Sequence, residues 1–321
     1  MPTTCFRQSE TFCIIRLSQQ GVAQRFTHNH CHKSLRFPFH RAESSLTQCP
    51  VYLEYYGLSE PPFDITPNPR FLFFSPKHRE AYNHLLYGIR ERKGFIQLTG
   101  EVGAGKTTIC RSMLEQLGPQ WETALILNPM LDATGLIKNI AMEFGLNVKG
   151  LDMDRLEATA MLNEFLLNLV EQKKDAVLII DEAQDMSDEL LEQVRLLSNL
   201  ETYERKLLQI VLMGQPELRE HLDRPHLKNL RQRITVRYHL KPLQFNEIGR
   251  YIQHRLAVAG SKGPPYFTTP ALWRIHRYSK GVPRVMNAVC DKCCLAGFVQ
   301  KKETIDYGMV GLAIRELEGN I

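Results

Sequence analysis

From residue 51 onward, short runs of apolar residues alternate with longer segments in which apolar residues recur at helical spacing. Five of the runs have the length of buried strands: 95–99, 124–127, 177–180, 208–213 and 235–240. Four segments between them have a helical pattern: 106–117, 134–144, 155–172 and 188–200. Parallel strands need crossover connections, which are usually helices. The alternation therefore predicts an α/β fold, with a five-stranded parallel sheet covered by helices on both faces.

Residues 51–75 precede this alternation and carry four prolines. Proline disfavours helix at its own position and at the residue before it, so this segment predicts an extended N-terminal arm laid over the domain surface. Ser75 and Pro76 suit the N-cap and the first turn of a helix, which is expected to run over 76–92.

After residue 240 no strand run appears, and only helical patterns remain. They cover 244–258, 270–279, 283–299 and 303–317 and predict a small all-α lid domain. We therefore divide this part of the chain into a core with its arm, residues 51–240, and a helical lid, residues 241–321.

Residues 1–50 differ from the rest and are predicted to be a poorly ordered extension. They hold six Lys/Arg against two acidic residues, which accounts for most of the chain's net charge of +5. They show neither helical nor strand periodicity. A secretory signal is excluded because the apolar stretch 12–15 is cut off by Arg16; an organellar transit peptide is the weaker alternative. The His/Cys cluster at 28–32 is too closely spaced to converge on one tetrahedral metal ion.

Composition places the chain among folded proteins. Hydrophobic residues make up 43% and charged residues 23% of the sequence, which excludes a disordered or disulfide-scaffold protein. No run approaches the ~18 apolar residues needed to span a bilayer, so an integral membrane protein is excluded as well. The cysteines have no extracellular spacing pattern, so we expect reduced thiols in the cytoplasm.

The first predicted strand leads directly into a glycine-rich segment, residues 100–107, that opens the next predicted helix. Its two glycines, separated by four residues and followed by Lys106 and Thr107, fit the phosphate-binding loop (P-loop) of nucleotide-binding proteins. Lys106 is expected to neutralise the β- and γ-phosphates, and the Thr107 hydroxyl to bind Mg²⁺. The candidate phosphate-binding residues are Gly100, Gly103, Ala104, Gly105, Lys106, Thr107 and Thr108.

Two acidic residues, Asp181 and Glu182, follow the third predicted strand. Parallel strands end at the same edge of a sheet, so both carboxylates are expected near the phosphates. Asp181 would hold Mg²⁺, and Glu182 would activate the water that attacks the γ-phosphate. The alternative is that the acidic pair only caps a helix.

No Asn-Lys-x-Asp motif for guanine is present, so ATP is preferred to GTP, and a catalytic Glu favours hydrolysis over a kinase reaction. Three later residues refine this prediction. Gln215 follows the fourth strand and would help to position water, unless it merely caps the next helix. Arg233, before the fifth strand, would act as an arginine finger in a neighbouring subunit, with Arg231 the weaker candidate and a surface ion pair the alternative. Arg284, at the start of a lid helix, would reach the phosphates.

This succession of motifs resembles the AAA+ ATPases. Three further segments, 52–70, 214–218 and 232–234, resemble the general secretion pathway protein A (ExeA-type) ATPases, and the likeness covers about residues 51–316. The resemblance implies an oligomeric ATPase with its arginine finger in trans. It also implies a cytoplasmic location, peripheral to the inner membrane, and secretion or pilus-assembly proteins as partners.

The chain departs from that family at two points. Longer members continue into a transmembrane helix and a peptidoglycan-binding domain, so envelope anchoring is not carried over to a chain that stops at Ile321. Members begin with Met just before Tyr-Leu, where this sequence has Val51. We therefore expect translation to start at Val51, from a GUG codon.

Two other functions remain open: a DNA-associated AAA+ regulator of transposition, and a nucleotide-gated scaffold with negligible turnover. Nucleic acid as a partner is not favoured, although a basic stripe exists at Arg274, Arg277, Lys280 and Arg284. Cys290, Cys293 and Cys294 share one helix face with Met286, which predicts core packing, with a zinc site as the weaker alternative.

Overall fold

Five parallel strands form one sheet in the computed structural model, which describes residues 51–319 except 149, 151 and 204. The strands are β1 Phe95–Gly100, β2 Trp121–Ile126, β3 Asp175–Ile180, β4 Leu208–Gly214 and β5 Ile234–Leu240. Their order is β2-β3-β4-β1-β5, and every pairing is parallel. The predicted five-stranded α/β architecture is confirmed. The predictions for residues 1–50 lie outside the described residues.

Helices flank the sheet and continue after it. They are α1 Tyr52–Tyr56, α2 Pro76–Arg90, α3 Lys106–Leu117, α4 Ala133–Glu143, α5 Arg155–Glu171, α6 Asp188–Leu197, α7 Pro216–Leu222, α8 Lys228–Arg233, α9 Phe245–Val258, α10 Thr269–Ser279, α11 Pro283–Val299 and α12 Tyr307–Leu317. Short 3-10 turns occur at Pro69–Phe71, Ala183–Asp185 and Pro225–Leu227. The helices predicted within the core and after it are present, with ends that differ by a few residues.

The central strands β1, β3 and β4 are buried on both faces of the sheet, and their side chains alternate between the two faces. On β3, Leu178 and Ile180 belong to a core shared with α4 to α8. Val177 and Ile179 point the other way, into a core shared with α2 and α3. A strand buried on both sides reads as a continuous apolar run, which is why β3 was recognisable from sequence.

A third apolar core joins helices α9 to α12 to the N-terminal arm. Tyr52, Tyr56 and Phe63 of the arm lie in it together with the α11 cysteines. The Tyr52 hydroxyl donates to Asp291 of α11, and the Tyr56 hydroxyl donates to the Lys302 carbonyl at 3.1 Å. The arm is therefore tied to the helices that follow the sheet. Whether those helices constitute a separate lid domain remains a prediction.

Two details of the predicted secondary structure are wrong. The arm is not extended throughout, since α1 forms a short helix whose apolar face packs into the third core. The region after residue 240 does contain strands: Tyr266–Phe267 (β6) pairs in parallel with Thr304–Ile305 (β7). At two residues each, neither strand is long enough to leave a recognisable pattern. Of the described helices, none is both long and apolar enough to cross a membrane.

Candidate functional site

The glycine-rich loop connects the end of β1 to the start of α3. Gly103 has φ +76°, a left-handed conformation that other residues adopt only with strain. Gly105 is the N-cap of α3 and has no side chain that could accept a hydrogen bond. The first N–H groups of the helix therefore face the loop without a capping side chain. A helix N-terminus in this state attracts anions, because its free N–H groups carry partial positive charge.

Lys106 is held against the loop that precedes it. Its Nζ donates to the Gly100 carbonyl at 2.9 Å and to the Glu101 carbonyl at 3.2 Å. Burial lowers the pKa of Lys106, and the nearby Glu182 and Asp181 carboxylates partly offset that effect. Within the described part of the chain this ammonium forms no direct ion pair, so its charge is available to an anion bound in the loop.

Thr107 and Asp181 are in direct contact although 74 positions separate them. The Thr107 hydroxyl donates to Asp181 Oδ2 at 2.6 Å, and Asp181 is almost fully buried at the end of β3. A hydroxyl and a carboxylate are both hard oxygen ligands, and these two oxygens are close enough to bind one cation. The donor set therefore fits Mg²⁺.

Glu182 follows Asp181 and adopts a left-handed backbone conformation, φ 50° and ψ 37°. That conformation costs a non-glycine residue roughly 1–2 kcal/mol. Strain of this size in a residue beside a binding site is typical of functional positions. Glu182 precedes the Ala183–Asp185 turn but makes no side-chain cap bond to it, so helix capping does not account for this acidic residue.

Two glutamine side chains orient the Glu182 carboxylate. Gln184 Nε2 donates to Glu182 Oε2 at 2.9 Å, and Gln215 Nε2 donates to the same oxygen at 3.3 Å. The Gln184 Oε1 atom in turn accepts the Gln215 backbone N–H at 3.0 Å. Gln215 occupies the N-cap position of α7 without a side-chain cap bond; its amide is directed at Glu182 instead. Sequence reasoning missed Gln184 because no motif marks it.

A cavity of about 180 Å³ adjoins these groups. Its walls come from the phosphate loop, from the arm and from α9 and α11, and include Lys106, Thr107, Glu182, Phe71, Tyr251 and Arg284. A larger cavity of about 490 Å³, lined by residues from the starts of α4, α5 and α6, contains none of the predicted site residues. The smaller cavity is therefore the candidate site, because predicted site residues line it and not the larger one.

Comparison with known proteins agrees with this geometry. Residues 89–222 match the family model of the AAA domain. Over 272 residues the chain is 46% identical to general secretion pathway protein A of Aeromonas hydrophila, an alignment that covers 84% of this chain. The chain is an AAA+ protein that resembles general secretion pathway protein A. It spans about half the length of that relative, 49%.

Solved structures show the same fold for this AAA+ chain. The Aeropyrum pernix ORC2 protein in ADPNP–ADP complexes superposes with a TM-score of 0.58 and 15% identity, over 79% of this chain and 70% of that one. The Drosophila ORC bound to DNA superposes with a TM-score of 0.60 and 16% identity, over 90% of this chain and 70% of that one. Identities this low support the P-loop AAA+ fold and nothing finer.

The arm of this AAA+ protein is fixed over the cavity by side chains of the C-terminal helices. Arg255 of α9 donates from Nε to the Pro62 carbonyl at 2.5 Å and from Nη2 to the Asp64 carbonyl at 3.0 Å. Asn287 of α11 donates from Nδ2 to the same Asp64 carbonyl at 3.3 Å. Neither contact was predictable, because the partners lie about 190 to 220 positions apart.

His78 supports the phosphate loop from behind. Its Nε2 lies 3.1 Å from the Ala104 carbonyl, which can only accept, so this nitrogen carries the proton. Nδ1 then accepts from the Ser75 hydroxyl at 2.8 Å. Burial lowers the pKa of His78, while the Ala104 carbonyl and Glu247 partly offset that effect. His78 was not predicted from sequence and helps to set the shape of the loop.

The predicted arginines occupy different places. Arg284 lines the cavity, and its backbone N–H donates to the Gly103 carbonyl at 3.2 Å. Arg233 lies where β5 begins, at the sheet edge away from the loop, and donates to Ser198 Oγ at 2.5 Å and Asn199 Oδ1 at 2.6 Å beyond α6. Arg231 pairs with Asp223 at 3.2 Å. The cavity of the chain itself thus receives Arg284 but neither of the finger candidates.

Proposed function

We propose that this AAA+ chain binds ATP with Mg²⁺ in the cavity and hydrolyses the γ-phosphate. The observation that carries the proposal is the 2.6 Å hydrogen bond between Thr107 and Asp181. It joins the phosphate loop to the carboxyl end of β3, so that the loop, a hard-oxygen cation site and the Glu182 carboxylate share one pocket. Membership of the P-loop NTPases supports nucleotide binding independently.

Each residue has one part in the proposed reaction. Thr107 and Asp181 would hold the magnesium ion, which when bound neutralises phosphate charge. Lys106 exchanges its two carbonyl acceptors for β- and γ-phosphate oxygens, since a charged acceptor forms the stronger hydrogen bond. Glu182 accepts a proton from the attacking water, and Gln215 orients that water from the same side. Arg284 approaches the phosphates from α11.

We further propose that the active form is a homo-oligomer in which Arg233 enters the site of a neighbouring subunit. The position of Arg233 supports this, because it lies at the sheet edge opposite its own phosphate loop and cannot serve that loop. An arginine finger contributes about 10³ to 10⁵ in rate, so the isolated chain would be slow. Ser198 and Asn199 hold the guanidinium until a partner site replaces them.

The proposed role is to couple ATP turnover to a secretion or pilus-assembly machine at the cytoplasmic side of the inner membrane. The support is the 46% identity to general secretion pathway protein A. A DNA-associated role is less well supported, because the basic stripe does not form one free surface. Arg274 is stacked on Tyr307, Arg277 on Trp273, and Arg284 faces the nucleotide cavity.

Glu182→Gln tests the hydrolytic role with little change in shape. The new side chain keeps an oxygen that can accept from Gln184, so folding and ATP affinity are expected to stay the same. Hydrolysis should fall by about 10² to 10⁴, the usual contribution of a general base. Lys106→Ala should instead abolish ATP binding. Wild-type turnover by Glu182→Gln would refute the proposal, and tight ATP binding without turnover by the wild type would favour the scaffold.

Arg233→Ala tests the oligomer, with Arg231→Ala as its matched control on the same helix. ATP binding should be unchanged in both variants. The specific activity of the wild type should rise with protein concentration, and Arg233→Ala should lose that rise whereas Arg231→Ala keeps it. A concentration-dependent rate in Arg233→Ala would remove this residue from the proposed interface.

A further inference from the structure

A second polar cavity, of about 220 Å³, lies between the sheet and helices α7 and α8. Strand register explains its floor, because Gln97 of β1 pairs with Arg237 of β5 and Thr99 pairs with His239. Paired residues of neighbouring strands point to the same face, so these four side chains project toward α7 and α8. The cavity shares no lining residue with the nucleotide cavity.

Gln97 is the unusual group in this cavity. It is only 5% exposed, and its side-chain amide has no hydrogen-bond partner among the described residues. The amide is open to the cavity and is not sealed inside the protein. Gln209, on neighbouring β4, is equally buried but accepts the Gly94 N–H at 2.8 Å. Because Gln97 lines the cavity, a ligand there would supply the partner that the protein does not.

The charges around Gln97 indicate what kind of ligand. Three guanidinium groups line the cavity, those of Arg219, Arg231 and Arg237, against one carboxylate, Asp223. Arg231 pairs with Asp223 at 3.2 Å, and Arg237 donates to the Arg231 carbonyl at 2.5 Å. In the described residues Arg219 has no ion pair. Two positive charges therefore remain in excess at the wall of the cavity.

We propose that this cavity binds a small phosphate-type oxyanion. Two uncompensated arginines match a dianion better than a single carboxylate, and guanidinium groups suit the tetrahedral oxygens of phosphate. Gln97 Nε2 donates to one oxygen from the floor. The volume corresponds to roughly seven water molecules, which suits phosphate or the phosphoryl group of a mononucleotide and not a large ligand. The proposal does not depend on ATP hydrolysis in the first cavity.

Titration calorimetry of the full chain with inorganic phosphate tests the proposal. In the wild type, the phosphate loop is first saturated with ADP and Mg²⁺. The titration is then repeated in Lys106→Ala, whose loop is not expected to hold nucleotide. A failure of the nucleotide proposal therefore leaves this test intact. One further phosphate per chain is expected in both. Competition by AMP would assign the ligand as a nucleotide phosphoryl group, and the absence of competition would assign free phosphate.

Gln97→Leu and Arg219→Gln should each weaken this binding at least about tenfold, as expected for a lost hydrogen bond to a charged group. Arg315→Gln, an exposed arginine elsewhere, is the matched control. Gln97→Leu should also keep or raise the thermal midpoint without phosphate, whereas Gln209→Leu should lower it. Absence of the further phosphate, an equal loss in Arg315→Gln, or unchanged binding in Gln97→Leu would overturn the proposal.

Discussion

Replacing Gly103 by alanine is expected to separate α11 from the phosphate loop. A Cβ atom at Gly103 would lie 2.4 Å from Arg284 Cβ and 3.1 Å from its Cδ, closer than carbon atoms pack. Because the nearer atom is bound directly to the backbone of α11, rotation of the Arg284 side chain cannot relieve the contact. The start of α11 must move, which also weakens the hydrogen bond from Arg284 N–H to the Gly103 carbonyl.

The size of the effect follows from two contributions. A left-handed φ costs alanine roughly 1–2 kcal/mol, and overpacking against a backbone-bound carbon costs roughly 1–3 kcal/mol. Gly57→Ala is the matched control, because Gly57 also has a left-handed φ of +65° but a Cβ there meets nothing within 4 Å. The effect of alanine on the unfolded chain is common to both variants. Gly103→Ala should therefore be about 1–3 kcal/mol less stable than Gly57→Ala.

Urea unfolding of both variants measures that difference, and fluorescence titration with ADP measures the effect on the site. Nucleotide affinity should fall in Gly103→Ala and stay unchanged in Gly57→Ala, which lies in the arm away from the loop. If the two variants lose equal stability, the contact between α11 and the loop is not rigid. The clash argument would then be wrong.

Two further predictions follow from buried titratable groups. Burial holds the pKa of His78 below its ordinary value of 6.5, so the unfolded chain takes up this proton first as the pH falls. The free energy of unfolding should drop from about pH 6.5 downward, and His78→Asn should reduce that slope in urea titrations; an unchanged slope would contradict it. Burial also raises the pKa of the Cys293 thiol to about 12 and raises the pKa of the Cys290 and Cys294 thiols on the same helix. Alkylation mapped by mass spectrometry should reach these cysteines only on unfolding, and rapid labelling of the native protein would show that α11 is not closely packed.

The parts of this fold that sequence predicted are those that local patterns determine. A strand covered on both faces is mostly apolar, so β3 is visible as a continuous run over 176–180 and β4 as a run over 210–213. The phosphate loop is visible because glycine spacing and a following lysine satisfy one backbone geometry. Asp181 could be assigned to the same pocket only because parallel strands end at one edge, an inference that the Thr107 contact matches.

The parts that sequence missed depend on contacts between distant segments. His78 lies in an ordinary amphipathic helix, and only its contact with Ala104 gives it a place at the site. Gln184 is two positions from Glu182, yet its role depends on Gln215, 31 positions away. The β6–β7 pair has two residues per strand, too few for any periodicity. In each case the residue or strand is recognised only by its contact with a distant segment, and the local sequence does not contain that information.

Three separate contacts connect the nucleotide cavity to the core formed by the C-terminal helices. Arg284 bonds to the loop at Gly103, while Arg255 and Asn287 hold the arm at Asp64. The arm itself is packed into the same apolar core as α9 and α11. A nucleotide that moves the loop or the arm must therefore displace these helices together. We therefore expect movement of α9 to α12 to be the change that carries nucleotide state to a partner protein, because these contacts join the helices to the loop and the arm.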